Sequence, residues 1–147
     1  MTTRVTLRPV TEGDLATLYE HQRDPVASRM AVFPMRDWDE FEAHWKRILK
    51  DPTVLARAIE HDGRLAGHVA VFGEPDERLV GYWLGREHWG KGVATKALAV
   101  FLDTVAERPL YAHVAKTNVG SIRVLEKCGF VATEIEAAGD WIMRLER

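Results

Sequence analysis

The sequence of 147 residues contains one cysteine, Cys128. No intramolecular disulfide can form, which excludes a disulfide-stapled scaffold and fits a reducing compartment. No run of about 18 apolar residues is present, so no membrane-spanning helix is expected. The opening Met1-Thr2-Thr3-Arg4-Val5 lacks the apolar stretch of a secretory leader. Neither sign of charge dominates: 20 Lys and Arg face 22 Asp and Glu, for a net charge of −2. No overall positive field exists to recruit nucleic acid or an anionic membrane. Repeats, low-complexity segments and the His and Cys spacings of a metal site are also missing. These absences lead to the expectation of a cytoplasmic domain with no nucleic-acid, membrane or metal partner.

What is present is an ordinary globular composition, 46% hydrophobic and 29% charged, with five tryptophans. A chain of this length supports one domain, expected over residues 1–147, and buries about two-thirds of its unfolded surface. Val5 to Pro9 alternates as a strand. Thr11 and Asp14 form a helix-start pair before the Leu15, Leu18, Tyr19 stripe, and Asp24-Pro25 is read as that helix's stop. Asp37 and Glu40 make a capping box ahead of Trp38, Phe41, Trp45, Ile48 and Leu49. The segment between, Val26 to Arg36, reads as an irregular apolar loop.

Three strands follow, Val54–Glu60, Leu65–Phe72 and Arg78–Leu84, the first two joined by a turn centred on Asp62-Gly63. A glycine-punctuated loop, Gly85 to Gly92, leads into a strongly amphipathic helix, Val93 to Ala106. Leu110–Ala115 is a strand and Asn118–Cys128 a short helix. Gly129 stands at the left-handed C′ position. Phe130–Glu136 and Trp141–Leu145 close the chain as strands. The fold class is therefore α+β, with seven strands and four helices, rather than a regular βαβ alternation.

The strongest chemical signal is the strand, loop and helix from Tyr82 to Ala94. Glycines turn backbone N–H groups inward, and the helix start adds unpaired donors and partial positive charge. Together they form an anion cradle suited to a pyrophosphate, with Arg86, Lys91 and Lys96 nearby. Gly85-x-x-x-x-Gly90-Lys91 matches most of a Walker A loop, but Gly92 stands where Ser or Thr should hold Mg²⁺. A Rossmann fingerprint fails too, because Thr95 occupies its third glycine position.

Trp89-Gly90-Lys91-Gly92-Val93-Ala94 resembles motif A, R/Q-x-x-G-x-G/A, of the GNAT N-acetyltransferase superfamily. Asn118-Val119-Gly120-Ser121, running on through Val124-Leu125-Glu126-Lys127-Cys128-Gly129-Phe130, resembles its motif B. Together with Tyr82-Trp83-Leu84, these runs look most like the branch that acetylates ribosomal-protein N-termini. The resemblance implies the GNAT fold, a mostly antiparallel, twisted sheet splayed between its fourth and fifth strands. It implies acetyl-CoA as co-substrate, with the pantetheine arm along Tyr82, Trp83 and Leu84. It places the pyrophosphate on Trp89, Gly90, Lys91, Gly92, Val93, Ala94 and Thr95, with Arg86 close by.

The motif departs from the family pattern at Trp89, where Arg or Gln is usual. It departs again at Leu125, where a general-acid tyrosine is frequent. Ser121 is the substitute expected to protonate the departing thiolate, with Asn118 beside it, and both can also contact the cofactor arm. A free amine has a pKa of roughly 8 to 10, so a base usually helps it attack. The fourth strand has no glutamate, and His113 is favoured among Glu74, Glu77, Glu87, His68 and His113. Phe33 and Trp38 are candidates for the acceptor pocket. The function implied is transfer of an acetyl group to a primary amine by direct attack in a ternary complex. The alternative is a non-catalytic CoA-binding sensor or scaffold. The acceptor, a protein N-terminus or a small molecule, stays open, as does a homodimer.

Overall fold

Seven strands form one sheet in the order β1-β2-β3-β4-β5-β7-β6. They are β1 Val5–Pro9, β2 Leu55–His61, β3 Arg64–Phe72, β4 Leu79–Leu84, β5 Leu110–Ala115, β6 Val131–Ile135 and β7 Asp140–Leu145. All neighbours are antiparallel except β4 and β5. The computed structural model describes residues 4–30, 36–135 and 140–147, and only the backbone at 28–30 and 134. The β2–β3 turn forms as its Asp-Gly pair requires, with φ of 52° at Asp62 and 83° at Gly63. Two positive φ values match the twist of a tight hairpin, and an Asp-Gly pair adopts them with little strain.

Among the described residues there are five α-helices: α1 Leu15–Gln22, α2 Pro25–Met30, α3 Trp38–Lys50, α4 Val93–Thr104 and α5 Val119–Lys127. The Asp37 capping box is present, with the Glu40 N–H donating to Asp37 Oδ1 at 2.8 Å. The fifth helix corrects the expected count of four. Asp24-Pro25 does end α1, but it also starts α2: the Val26 N–H donates to Asp24 Oδ1 at 2.9 Å. Proline at the first helical position loses no hydrogen bond and has its φ already set. The dipeptide therefore serves as stop and start at once.

Alternation sends neighbouring strand residues to opposite faces. Ile59, Val69, Val71, Val80, Leu110 and Met143 join α4 and Leu125 in the larger core. Ala58, next to Ile59, instead joins Leu15, Leu18, Phe41 and Trp45 of α1 and α3 in a second core. Phe101 is fully buried in the larger one. Such a side chain contributes about 2–3 kcal/mol in transfer alone. Both faces of the sheet are thus covered, and the edge between β4 and β5 is where the packing opens.

Candidate active site

β4 and β5 register at a single pair, Leu79 opposite Tyr111. The Tyr111 N–H donates to the Arg78 carbonyl at 2.9 Å, which pins the strands where they begin. Beyond that point they diverge, while β3 still holds the far edge of β4 as far as Leu84 and β7 holds β5 through Ala115. Past Leu79 the β5-facing edge of β4 has no strand partner among the described residues. A cavity of about 520 Å³ fills the wedge, lined by both strands, by the loop before α4 and by α5.

The loop closes one end of this cleft. Residues Arg86–His88 make a single 3₁₀ turn, and Gly90 and Gly92 follow with φ of 72° and 77°. Gly92 is the N-cap of α4, with no side-chain hydrogen bond at that end. The helix ladder begins with the Lys96 N–H donating to the Gly92 carbonyl at 3.1 Å. The N–H groups of Val93, Ala94 and Thr95 therefore lack carbonyl partners inside the helix. A Cβ built on Gly90 or Gly92 meets nothing within 4 Å. Open backbone, unpaired donors and the positive end of the helix dipole meet in one place.

This turn is tied to the rest of the sheet. His88 lines the cleft, and its Nδ1 is 2.7 Å from Nδ1 of His61 at the end of β2. Two ring nitrogens at that distance must share one proton. Burial holds His88 below the ordinary histidine range, and nearby Glu87 works against that shift. Trp89, the first position of the loop motif, donates through Nε1 to the Leu84 carbonyl at 2.9 Å. It braces strand against loop with its ring, where a guanidinium or amide would reach outward.

On the opposite wall, Asn118 caps α5 by accepting the Ser121 N–H at 3.2 Å. The Ser121 hydroxyl lies 2.8 Å from the phenol oxygen of Tyr82, reaching across from β4. Burial pushes the Tyr82 phenol up to about 12, with the Ser121 hydrogen bond opposing. Leu125, one turn further along α5, is buried in the core. His113 lines the cleft from β5, its Nε2 3.9 Å from Oε1 of exposed Glu77. His68, on β3, stacks edge-on against Trp45 and does not line the cleft. Burial drops it to about 4.

The cleft brings together Tyr82, Trp83, Leu84, Trp89, Gly90, Gly92, Val93, Ala94, Thr95, His113, Asn118 and Ser121. Three candidates stand elsewhere. Arg86 pairs through Nε with Asp24 Oδ2 at 2.9 Å, away from the cleft lining. Lys91 is exposed at the crest of the loop. Trp38 packs edge-on against Tyr19 at 5.3 Å and beside Phe41 at 6.3 Å, joining α1 to α3. Phe33 lies outside the described residues. The cleft also uses residues that sequence reasoning did not single out: Ala27, Phe72, Arg123 and Lys127. Arg123 and Lys127 are one turn apart on α5, a spacing that puts two cations on one face and was legible in principle. Among the described residues no group of three or more His, Cys, Asp or Glu is placed to hold a metal ion. None of the described helices is long and apolar enough to cross a membrane.

Comparison with known proteins is consistent with this geometry. The model of the acetyltransferase (GNAT) domain family matches residues 4–131. A probable N-acetyltransferase, YjcK, of Bacillus subtilis (strain 168) is 40% identical over 110 residues. That match covers 64% of this chain and 61% of the relative's own length. Among solved structures, aminoglycoside acetyltransferase AAC(6')-Ib in complex with coenzyme A superposes with a TM-score of 0.82 at 20% identity, covering 98% of this chain and 95% of that one. A spermidine N-acetyltransferase SpeG chimera from Vibrio cholerae and hSSAT gives 0.83 at 24% identity, covering 97% and 95%. At these identities the two structures speak to the fold.

Proposed function

The chain belongs to the GNAT acetyltransferase family, and from that premise we propose that it transfers an acetyl group from acetyl-CoA to a primary amine. The observation that carries this reading is the wedge between β4 and β5, whose free strand edge runs into the unpaired N–H groups of α4. An amide-bearing pantetheine arm is matched by a bare strand edge, and a pyrophosphate by a helix start with open glycines. The residues present fit such a ligand: no Cβ obstructs Gly90 or Gly92. Arg123 and Lys127 supply further positive charge at the wall.

Acetyl-CoA supplies an activated thioester, and the amine attacks its carbonyl directly. On this reading His113, whose Nε2 is 3.9 Å from Glu77 Oε1, takes the amine's proton. Backbone N–H groups on the open edge of β4, toward Leu84, are placed to stabilise the carbonyl oxygen as it gains charge. Ser121 returns a proton to the sulfur on the same reading. Asn118 fixes Ser121 by capping the helix on which it sits.

Tyr82-Trp83-Leu84 and the Asn118 to Phe130 run support an acceptor of the protein N-terminal type, as in the branch they resemble. Solved structures that share this fold include proteins named for aminoglycoside and spermidine substrates, so those amines belong in the same test. The single free thiol supports a cytoplasmic setting. Calorimetric titration with acetyl-CoA, with ATP and Mg²⁺ as control, tests the cofactor. Micromolar binding of acetyl-CoA alone is expected. Release of free CoA with a panel of peptides, polyamines and aminoglycosides then tests transfer. Tight binding with no release from any amine moves the assignment to a CoA-binding sensor.

A further inference from the structure

Two hydroxyls face each other across the cleft, and the catalytic reading above uses only one. Tyr82 comes from β4 and Ser121 from the first turn of α5, and their oxygens are 2.8 Å apart. Each side chain lines the cavity. Between them they carry two O–H protons, and the bond they share consumes one. The second proton is left for whatever occupies the wedge. Ser121 cannot drift, because its own N–H is held by the Asn118 side chain at 3.2 Å. Tyr82 is held as strand, opposite Val69 of β3. One wall of the pair is therefore sheet and the other helix, and the hydroxyls meet beyond the point where β4 and β5 part.

We propose that Tyr82 is a positioning residue for Ser121, its phenol donating to the Ser121 oxygen so that the serine proton points at the thioester sulfur. This rests on the acetyltransferase reading. As the carbon–sulfur bond opens, its electron pair goes to sulfur, and sulfur takes the Ser121 proton. Ser121 takes the Tyr82 phenol proton, and the phenolate regains one from solvent, to which His113 passes the proton it took from the amine. The bond formed is carbon to nitrogen and the bond lost is carbon to sulfur, with no oxidant or further reactant. A phenol is a better acid than an alkyl alcohol, so the serine gains acidity from its partner. That phenol is protonated at neutral pH already at its ordinary value near 10, and burial pushes it further up, to about 12.

The test compares wild type, Tyr82→Phe, Ser121→Ala, the double variant and Ser121→Thr. Tyr82→Phe keeps the ring and its packing, and circular dichroism melts establish that each variant is folded. The expected result is a fall in kcat of at least tenfold for Tyr82→Phe with KM for acetyl-CoA within about twofold. The double variant should be no slower than the slower single, because the residues act as one unit. Ser121→Thr, which keeps a hydroxyl, should recover most of the rate. A second readout needs no turnover: CoA should bind more tightly than desulfo-CoA in wild type, and Tyr82→Phe and Ser121→Ala should both lose that preference.

If Tyr82→Phe keeps its kcat and its preference for the sulfur, the inference is overturned. Independent, multiplying losses in the double variant overturn it as well. If wild type binds neither CoA nor desulfo-CoA, the acetyltransferase reading itself falls, and the inference falls with it. If wild type prefers CoA through these two residues yet turns over no amine, the contact to sulfur stands and only the transfer reading is lost.

Discussion

Replacing Gly92 by alanine separates binding from folding, because the structure contains its own control. Gly92 has φ of 77° and open space around a built Cβ. Gly63, in the β2–β3 turn, has φ of 83° and equally open space. An L side chain in this left-handed region costs about 1–2 kcal/mol, partly offset by the lower unfolded-state entropy of alanine. Each variant should therefore lose about 1 kcal/mol, or roughly 3–4 °C in melting temperature for a chain of this size. The strain is the same, but the surroundings differ. Gly92 lines the cleft at the start of α4, where on the proposed reading a phosphate comes within hydrogen-bonding distance of the backbone. Gly63 lies outside that lining. A hydrogen bond to a charged group contributes about 1.5–3 kcal/mol, so loss of one at mid-range weakens binding roughly fortyfold. The assay is a pair of measurements on three proteins, thermal melts and calorimetric titration with acetyl-CoA. Both variants should melt alike, and only Gly92→Ala should bind weakly. Equal affinity of the two variants for acetyl-CoA would falsify the cradle.

Further outcomes follow from packing and protonation. Phe101→Ala should cost about 3–5 kcal/mol in urea unfolding, since Phe101 is at the centre of the larger core; a loss below 1 kcal/mol would show that the site collapses onto the void. Gly67→Ala should be the most damaging change among the described glycines, because its Cβ would overlap the Trp83 carbonyl oxygen; a soluble variant with wild-type melting would refute that contact. Burial lowers His68 from 6.5 to about 4, so its neutral form is the folded one. Its contribution is full above pH 6.5 and lost as pH falls toward 4, by up to about 3 kcal/mol. Urea titrations at pH 7 and pH 4.5 on wild type and His68→Leu should show a smaller acid loss in the variant. Trp38→Phe should lower stability modestly and leave the KM values for acetyl-CoA and amine unchanged, since Trp38 bridges α1 and α3; a raised KM for the amine would return it to the acceptor pocket.

Much of the anion cradle was legible in the chain because its parts are contiguous. Loop glycines, a helix start and the strand before them lie within a dozen or so residues, so local backbone chemistry decides the outcome. The Asp37–Glu40 capping box and the Asp62-Gly63 turn are legible for the same reason. Where a dipeptide supports two local outcomes, the sequence is ambiguous. Asp24-Pro25 is both a stop and a start, and α2 went unread.

The amino-acid sequence by itself determined the strand order along the chain, the amphipathic helices and the phosphate-suited loop, since each depends on period and on neighbours a few residues away. Only the tertiary structure decided which side chains meet. Tyr82 and Ser121 are 39 residues apart, and His61 and His88 are 27 apart. Their encounters depend on strand register and on which face each strand residue presents. Those follow from the pairing of the whole sheet and from the point at which β4 and β5 part. A one-residue slip would turn Tyr82 to the other face of the sheet, with the same local sequence on either side of it.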